Sequence, residues 1–150
     1  MNASEELYQE VILDHSRHPR RYGCPLEHTH CAAGKNPLCG DEYQVYLTID
    51  EEGIVRDASF EGAGCAISKA SASLMMEQLI GKHEEEIREL FEAFHAMVTD
   101  PDAQKKADSL GKLAAFSGIW KYPSRVKCAI LCWHAVRNAL DGHAVATTEA

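Results

Sequence analysis

Residues 43–80 read YQVYLTIDEEGIVRDASFEGAGCAISKASASLMMEQLI, two strand patterns followed by a helical one. Tyr43, Val45, Leu47 and Ile49 alternate with Gln44, Tyr46 and Thr48, the period-two pattern of a half-buried strand. Asp50-Glu51-Glu52-Gly53 is a turn with glycine at its close, and Ile54 to Phe60 is the returning strand, so the pair predicts a small antiparallel sheet. Glu61-Gly62-Ala63-Gly64 breaks the second strand, and Cys65 follows. Ile67, Ala70, Ser71, Leu74, Met75 and Leu79 then recur at helical spacing over 66–80, with Gly81 as the stop.

Upstream, Ser4 followed by Glu5 and Glu6 is a capped, acidic helix start. Leu7, Tyr8, Val11, Ile12 and His15 continue that helix over 4–15, and His18-Pro19 ends it. His15 and His18 at this end suit the negative pole of the helix dipole, so they read as capping residues. Residues 19–41 carry Pro19, Pro25, Pro37, Gly23, Gly34 and Gly40, an irregular segment with a short strand near 28–33. Downstream, Ile87, Leu90, Phe91, Phe94, Met97 and Val98 form one stripe of an amphipathic helix over 84–98. A polar stretch over 101–109 leads to a short helical piece near 110–116. Ser124 is the expected cap of a last helix running to about Leu140, stopped by Asp141-Gly142, with a frayed tail beyond. Few strands followed by several helices predict an α+β fold, about three antiparallel strands with helices on one face, in a single domain over 1–150 whose ordered part spans about 4–142.

At 150 residues and 16.6 kDa, with 45% hydrophobic and 25% charged residues, the composition excludes wholesale disorder. No run approaches 18 apolar residues, so no membrane span is expected. The net charge of −8 leaves no broad electrostatic footprint for nucleic acid. The beginning, MNASEELYQE, is unlike a signal peptide and predicts a cytoplasmic protein. In such a reducing compartment the six cysteines are expected as free thiols, set for metal binding or sulfur chemistry where they cluster and as small apolar core residues elsewhere.

Three of them stand at element boundaries: Cys39 in Asn36-Pro37-Leu38-Cys39-Gly40-Asp41, Cys65 after Gly62-Ala63-Gly64, and Cys128 in Arg125-Val126-Lys127-Cys128. Helix N-termini favour anions, and thiolate is the form that binds metal or attacks sulfur. Gly62 and Gly64 allow close backbone approach. Three thiolates and the Asp41 carboxylate suit tetrahedral zinc, with a charge of −2 that Arg125 and Lys127 would offset. The spacing alone leaves two readings open: one four-ligand site, or two core thiols with Asp41 capping a turn.

Longer motifs bear on that choice. Leu7-Tyr8-Gln9-Glu10-Val11-Ile12-Leu13-Asp14-His15 with Arg17-His18-Pro19, then Asn36 to Asp41, Phe60 to Met75, and Pro123 to Ala129 follow one another in order over about 5–140. In these stretches the chain resembles the IscU/NifU superfamily of iron–sulfur assembly proteins, and within it the SufU branch. Lys127 stands where the IscU-type scaffold has a histidine, and the 63-residue step from Cys65 to Cys128 fits the extra segment of the SufU branch. The resemblance implies the IscU-like SufE/NifU fold and zinc held by Cys39, Asp41, Cys65 and Cys128. It also implies a pyridoxal-phosphate cysteine desulfurase as partner, with downstream iron–sulfur assembly proteins after it. The function it implies is a relay in which Cys39 accepts persulfide sulfur, Cys128 being the second choice. The alternative is a scaffold on which iron or a [2Fe–2S] cluster occupies the same ligands. A purely structural zinc is a third reading, and it requires the metal-free chain to unfold.

Several residues invite over-reading. Cys24, His28, His30 and Cys31 imitate a second metal site but lack a familiar spacing. Cys132 lies one helical turn beyond Cys128 and reads as core, as do Met75 and Met76. His134 falls with Lys127, Arg137 and Asn138 on a polar side and reads as exposed, while Lys69 and Ser71 are candidates for shaping a partner surface.

Overall fold

The structure, a computed structural model, describes residues 3–37, 40–142 and 145–147. Helix α1 (Ala3–Arg17) leads through an irregular segment to strands β1 (His30–Asn36), β2 (Asp41–Ile49) and β3 (Val55–Ala63). Helices α2 (Ala66–Leu79) and α3 (Glu84–Thr99) follow, then 3₁₀ segments at Pro101–Phe116 and Ile119–Lys121, helix α4 (Pro123–Asp141) and strand β4 (Val145–Thr147). The sheet order is β3-β2-β1-β4. The first three strands are antiparallel, and β4 adds to β1 in parallel. The α+β architecture is therefore as expected, an antiparallel three-stranded sheet with helices, extended at one edge by a short fourth strand.

Alternation on β2 places Tyr43, Val45 and Leu47 on the inner face. On β3 a bulge opposite Thr48 and Ile49 inserts one residue, so Val55 as well as Ala58 and Phe60 turn inward. Helix α2 is buried on nearly all sides, with Ala70, Ala72, Leu74, Met75, Met76 and Leu79 in the core. Its serines are accommodated by bonds to other elements. Ser71 donates to the Ala129 carbonyl of α4 at 2.6 Å and accepts from the Trp133 indole N–H at 3.0 Å. Ser73 accepts from the Arg20 N–H at 2.8 Å and meets His15 Nδ1 at 2.7 Å. Trp133 stacks on Phe94 with ring centroids 4.3 Å apart, joining α4 to α3.

Six local expectations change. Strand β3 runs through Gly62 to Ala63 rather than breaking at Glu61, because Glu42, Tyr43 and Gln44 of β2 pair with these residues. Tyr122 precedes α4 and Pro123 opens it, so Ser124 lies inside the helix; proline lacks the N–H that a first-turn residue leaves unpaired anyway. The 101–109 stretch belongs to a 3₁₀ segment. Val145–Thr147, expected in the frayed tail, pair with Ala33, Gly34 and Lys35. Finally, His15 is 1% exposed and serves as an interhelical bond rather than a solvent-facing cap, and Ser71 is buried rather than on a partner surface.

Candidate metal centre

Asp41 is the first residue of β2 and Cys65 sits in the short connection from β3 to α2. Cys128 lies in the second turn of α4. Residues 24 and 63 positions apart in sequence meet because β2 pairs with β3 while α4 packs behind the sheet. One ligand atom from each of Asp41, Cys65 and Cys128 lies within 4.8 Å of the others. This is the one group of three or more metal-type donors among the described residues. Cys39, the fourth expected ligand, lies outside the described residues. Asp41 is 3% exposed and Cys128 9%, whereas Cys65 is exposed, so the centre is walled on the core side and open on the other.

The turn before Cys65 is fixed by backbone geometry. Gly62 has φ +137°, a conformation that an L side chain resists, and a Cβ there would collide with the Glu42 carbonyl. The Tyr22 hydroxyl donates to the Gly62 carbonyl at 2.6 Å and lies 3.2 Å from the Gly62 N–H. A Cβ on Gly64 would lie 2.6 Å from Ser68 Oγ and 2.7 Å from Asp41 Oδ1. Polar side chains close around that position because it carries none.

Cys65 is the N-cap of α2, with sulfur in the acceptor place usually held by an oxygen. The Ser68 N–H donates to Cys65 Sγ at 3.4 Å, and the Cys65 N–H donates to Asp41 Oδ1 at 2.9 Å. Asp41 thereby uses one oxygen to hold the cysteine backbone. Its other oxygen, Oδ2, is 3.6 Å from Cys65 Sγ. Two ligands of one tetrahedral zinc are separated by roughly 3.5 Å given bonds of about 2.0 to 2.3 Å, so this pair already has the required spacing. Hydrogen bonding with Cys128 is the largest influence on the Cys65 thiol and brings its pKa down to about 6, with help from Ser68 and against burial. The donors therefore fit a borderline-soft divalent cation, combining thiolate sulfur with a carboxylate.

Two residues of this network escape a search for ligands. Ser68 stands three positions after the capping Cys65, the capping-box spacing, and Tyr43 stands two positions after Asp41 on the same strand face. The Tyr43 hydroxyl is 2.8 Å from Ser68 Oγ. The supporting cations are less intimate. Arg125 is exposed with its guanidinium 4.7 Å over the Tyr122 ring, and Lys127 is half-buried. Beside the centre opens a groove of about 620 Å³ whose walls include Tyr8, Ile12, Leu13, Ile67, Ile119 and Tyr122.

Cys132 is buried and burial pushes its thiol up, so it stays a neutral core residue. Cys24 and Cys31 are exposed, and with His28 and His30 they form no three-donor group. His134 is not exposed as expected: it is half-buried, edge-on to Phe91 at 5.3 Å.

Over 134 residues the chain is 42% identical to a protein of Thermotoga maritima named iron-sulfur cluster assembly scaffold protein IscU, covering 89% of this chain and 92% of that one. It is 38% identical over 136 residues to the zinc-dependent sulfurtransferase SufU of Bacillus subtilis, covering 91% and 90%. The fold superposes on FiSufU of Fervidobacterium islandicum AW-1 with a TM-score of 0.77 and 35% identity, covering 92% of this chain and 99% of that one. The NifU-like N terminal domain family matches residues 7–129, and the chain belongs to that family.

Proposed function

We propose that this chain acts in iron–sulfur cluster biogenesis as a zinc-bound sulfur relay, a single domain that takes persulfide sulfur from a pyridoxal-phosphate cysteine desulfurase and passes it to downstream assembly proteins. The observation that carries the reading is the mixed Asp41–Cys65–Cys128 donor group, which contains no histidine. A carboxylate beside thiolates suits Zn²⁺ and leaves one position less tightly held than an all-thiolate set. Cys39 completes the set in this proposal, with Gly62 and Gly64 shaping the turn and Arg125 and Lys127 balancing charge. Zinc, when bound, keeps its thiol ligands deprotonated. The similarity to the Bacillus subtilis protein named a zinc-dependent sulfurtransferase supports the assignment. The free thiols Cys24, Cys31, Cys65, Cys128 and Cys132 suit a reducing cytoplasm.

In the transfer step the Cys39 thiolate attacks the outer sulfur of the desulfurase persulfide. The Cys39 S–S bond forms, the partner's S–S bond breaks, and the partner's cysteine leaves as thiolate, so sulfur moves without net oxidation. The test is persulfide acceptance from a cysteine desulfurase supplied with cysteine, read by thiol labelling and mass spectrometry. Cys39→Ala is expected to abolish acceptance. Acceptance at the normal rate by Cys39→Ala, with loss in Cys128→Ala, moves the acceptor to Cys128.

A scaffold function is the second reading, supported by the similarity to the Thermotoga maritima protein named a scaffold. Anaerobic reconstitution with iron and sulfide separates the two. A stable visible chromophore with two irons per chain selects the scaffold, and its absence alongside zinc-dependent sulfur acceptance selects the relay.

A further inference from the structure

We infer that Ser68 and Tyr43 are positioning residues, a two-hydroxyl relay that delivers one hydrogen bond to the Cys65 sulfur and holds it as the pre-set ligand of the metal centre. The inference rests on Cys65 being a metal ligand, as proposed above.

Tyr43 is buried among Phe60 and its neighbours, and its hydroxyl has one hydrogen to place. Its partner at 2.8 Å is Ser68 Oγ, which is also buried. If Tyr43 donates, Ser68 keeps its own hydrogen for another acceptor. Two candidates are in reach, the Cys65 carbonyl at 3.1 Å and Cys65 Sγ at 3.6 Å. The carbonyl is already served by the Lys69 N–H at 3.1 Å. A metal-bound cysteine sulfur has no proton of its own and is an acceptor only, and a bond to a charged acceptor is about twice as strong as a neutral one. In the loaded centre the Ser68 hydrogen therefore belongs on sulfur, joining the Ser68 N–H that reaches the same atom at 3.4 Å.

Geometry favours the same role from a second direction. Asp41 Oδ1, Ser68 Oγ and Tyr43 Oη all crowd the place where a Gly64 side chain would begin, so a glycine is required for the three oxygens to converge. With the Cys65 N–H on Asp41 Oδ1, both the backbone and the sulfur of Cys65 are held before any metal arrives. Outer-shell bonds of this kind orient the ligand and set metal affinity.

The test compares Ser68→Ala, Tyr43→Phe and the double variant as full chains. Two readouts apply: Zn²⁺ affinity by competition with a chromophoric chelator, and the thiolate-to-metal charge-transfer band after Co²⁺ loading. Ser68→Ala is expected to weaken Zn²⁺ binding about 10- to 100-fold and to move the Co²⁺ band to lower energy, since the sulfur lone pair loses a stabilising donor. Tyr43→Phe is expected to act in the same direction more weakly, and to add nothing in the Ser68→Ala background because it acts through Ser68. Wild-type affinity and an unmoved band in folded Ser68→Ala overturn the inference, as do additive effects in the double variant. Should Ser68→Ala fail to fold, Tyr43→Phe keeps its ring in place and carries the same two readouts, an unchanged band and affinity overturning the relay. Cys65→Ala separates the levels: if it leaves Zn²⁺ binding intact the ligand assignment fails, whereas loss in Cys65→Ala without loss in Ser68→Ala overturns the relay alone.

Discussion

Gly64 is where a single methyl group decides between a metal centre and an ordinary turn. A Cβ there would stand 2.6 Å from Ser68 Oγ and 2.7 Å from Asp41 Oδ1, closer than real carbon atoms approach oxygen. Gly64→Ala is therefore expected to push Asp41 and Ser68 off Cys65 and to lower Zn²⁺ affinity at least about tenfold, with the far-UV circular dichroism unchanged. Chelator competition checks the first expectation and the spectrum the second; unchanged affinity contradicts the geometry. Gly62→Ala differs because its collision is with the β2 backbone, which cannot swing aside. With φ at +137° as well, it is expected to cost stability, about 1–3 kcal/mol in urea unfolding, whether or not metal is present. The centre's donors are readable in the sequence as cysteines and an aspartate next to glycine. Their supports are less so, since Tyr43 satisfies the strand alternation as an ordinary core residue and only its hydroxyl says otherwise.

Between elements, the histidines carry the junctions, and here periodicity misleads. His15 closes α1, where a dipole argument explains it, yet its partner Ser73 is 58 positions away on α2. His134 shares a helical side with Lys127 and Arg137, but the Phe91 ring of α3 covers it and the Arg137 guanidinium lies 4.5 Å over the same ring. Burial, reinforced by Arg137 and His95, brings the His134 pKa down to about 4 from an ordinary 6.5. Burial likewise holds His15 below its ordinary value, reinforced by the Arg20 cation and opposed by Glu77 and Asp14. Both are therefore neutral in the fold and take up a proton more readily when unfolded. The contribution of these two histidines to stability is flat above pH 6.5 and falls as pH drops from 6.5 toward 4, His134 alone contributing a loss of about 2–3 kcal/mol at the acid end. Urea midpoints of metal-free protein across that window measure the slope, and His134→Gln is expected to flatten it; an equal slope in the variant contradicts the assignment. The same long-range dependence hid β4, three residues whose strand character comes from the β1 edge they meet rather than from a pattern of their own.

At the scale of the whole chain the question is whether the metal builds the fold or uses it. Its donors come from β2, from the start of α2 and from α4, so a bound ion ties three elements together. Those elements are already joined without it. Val45, Leu47, Phe60, Met75, Leu131 and Trp133 are buried in one continuous core. Ser71 links α2 to α4 through two hydrogen bonds, and the β2–β3 ladder sets Asp41 against Cys65. A core of this extent distinguishes the chain from small zinc domains that have nothing else to bury. Removal of Zn²⁺ with a strong chelator is therefore expected to leave the far-UV spectrum and a cooperative thermal transition intact. The midpoint should fall only by the linkage term, which is about 2.7 kcal/mol for free Zn²⁺ at a hundredfold excess over its Kd, or roughly 5–10 °C for a chain of this size. Calorimetry with and without chelator measures both quantities. A metal-free chain that loses its cooperative transition makes zinc a structural staple and removes the main support for a centre free to exchange ligands. A folded metal-free chain that regains desulfurase-dependent sulfur acceptance on adding Zn²⁺ places the ion in the chemistry and not in the scaffold.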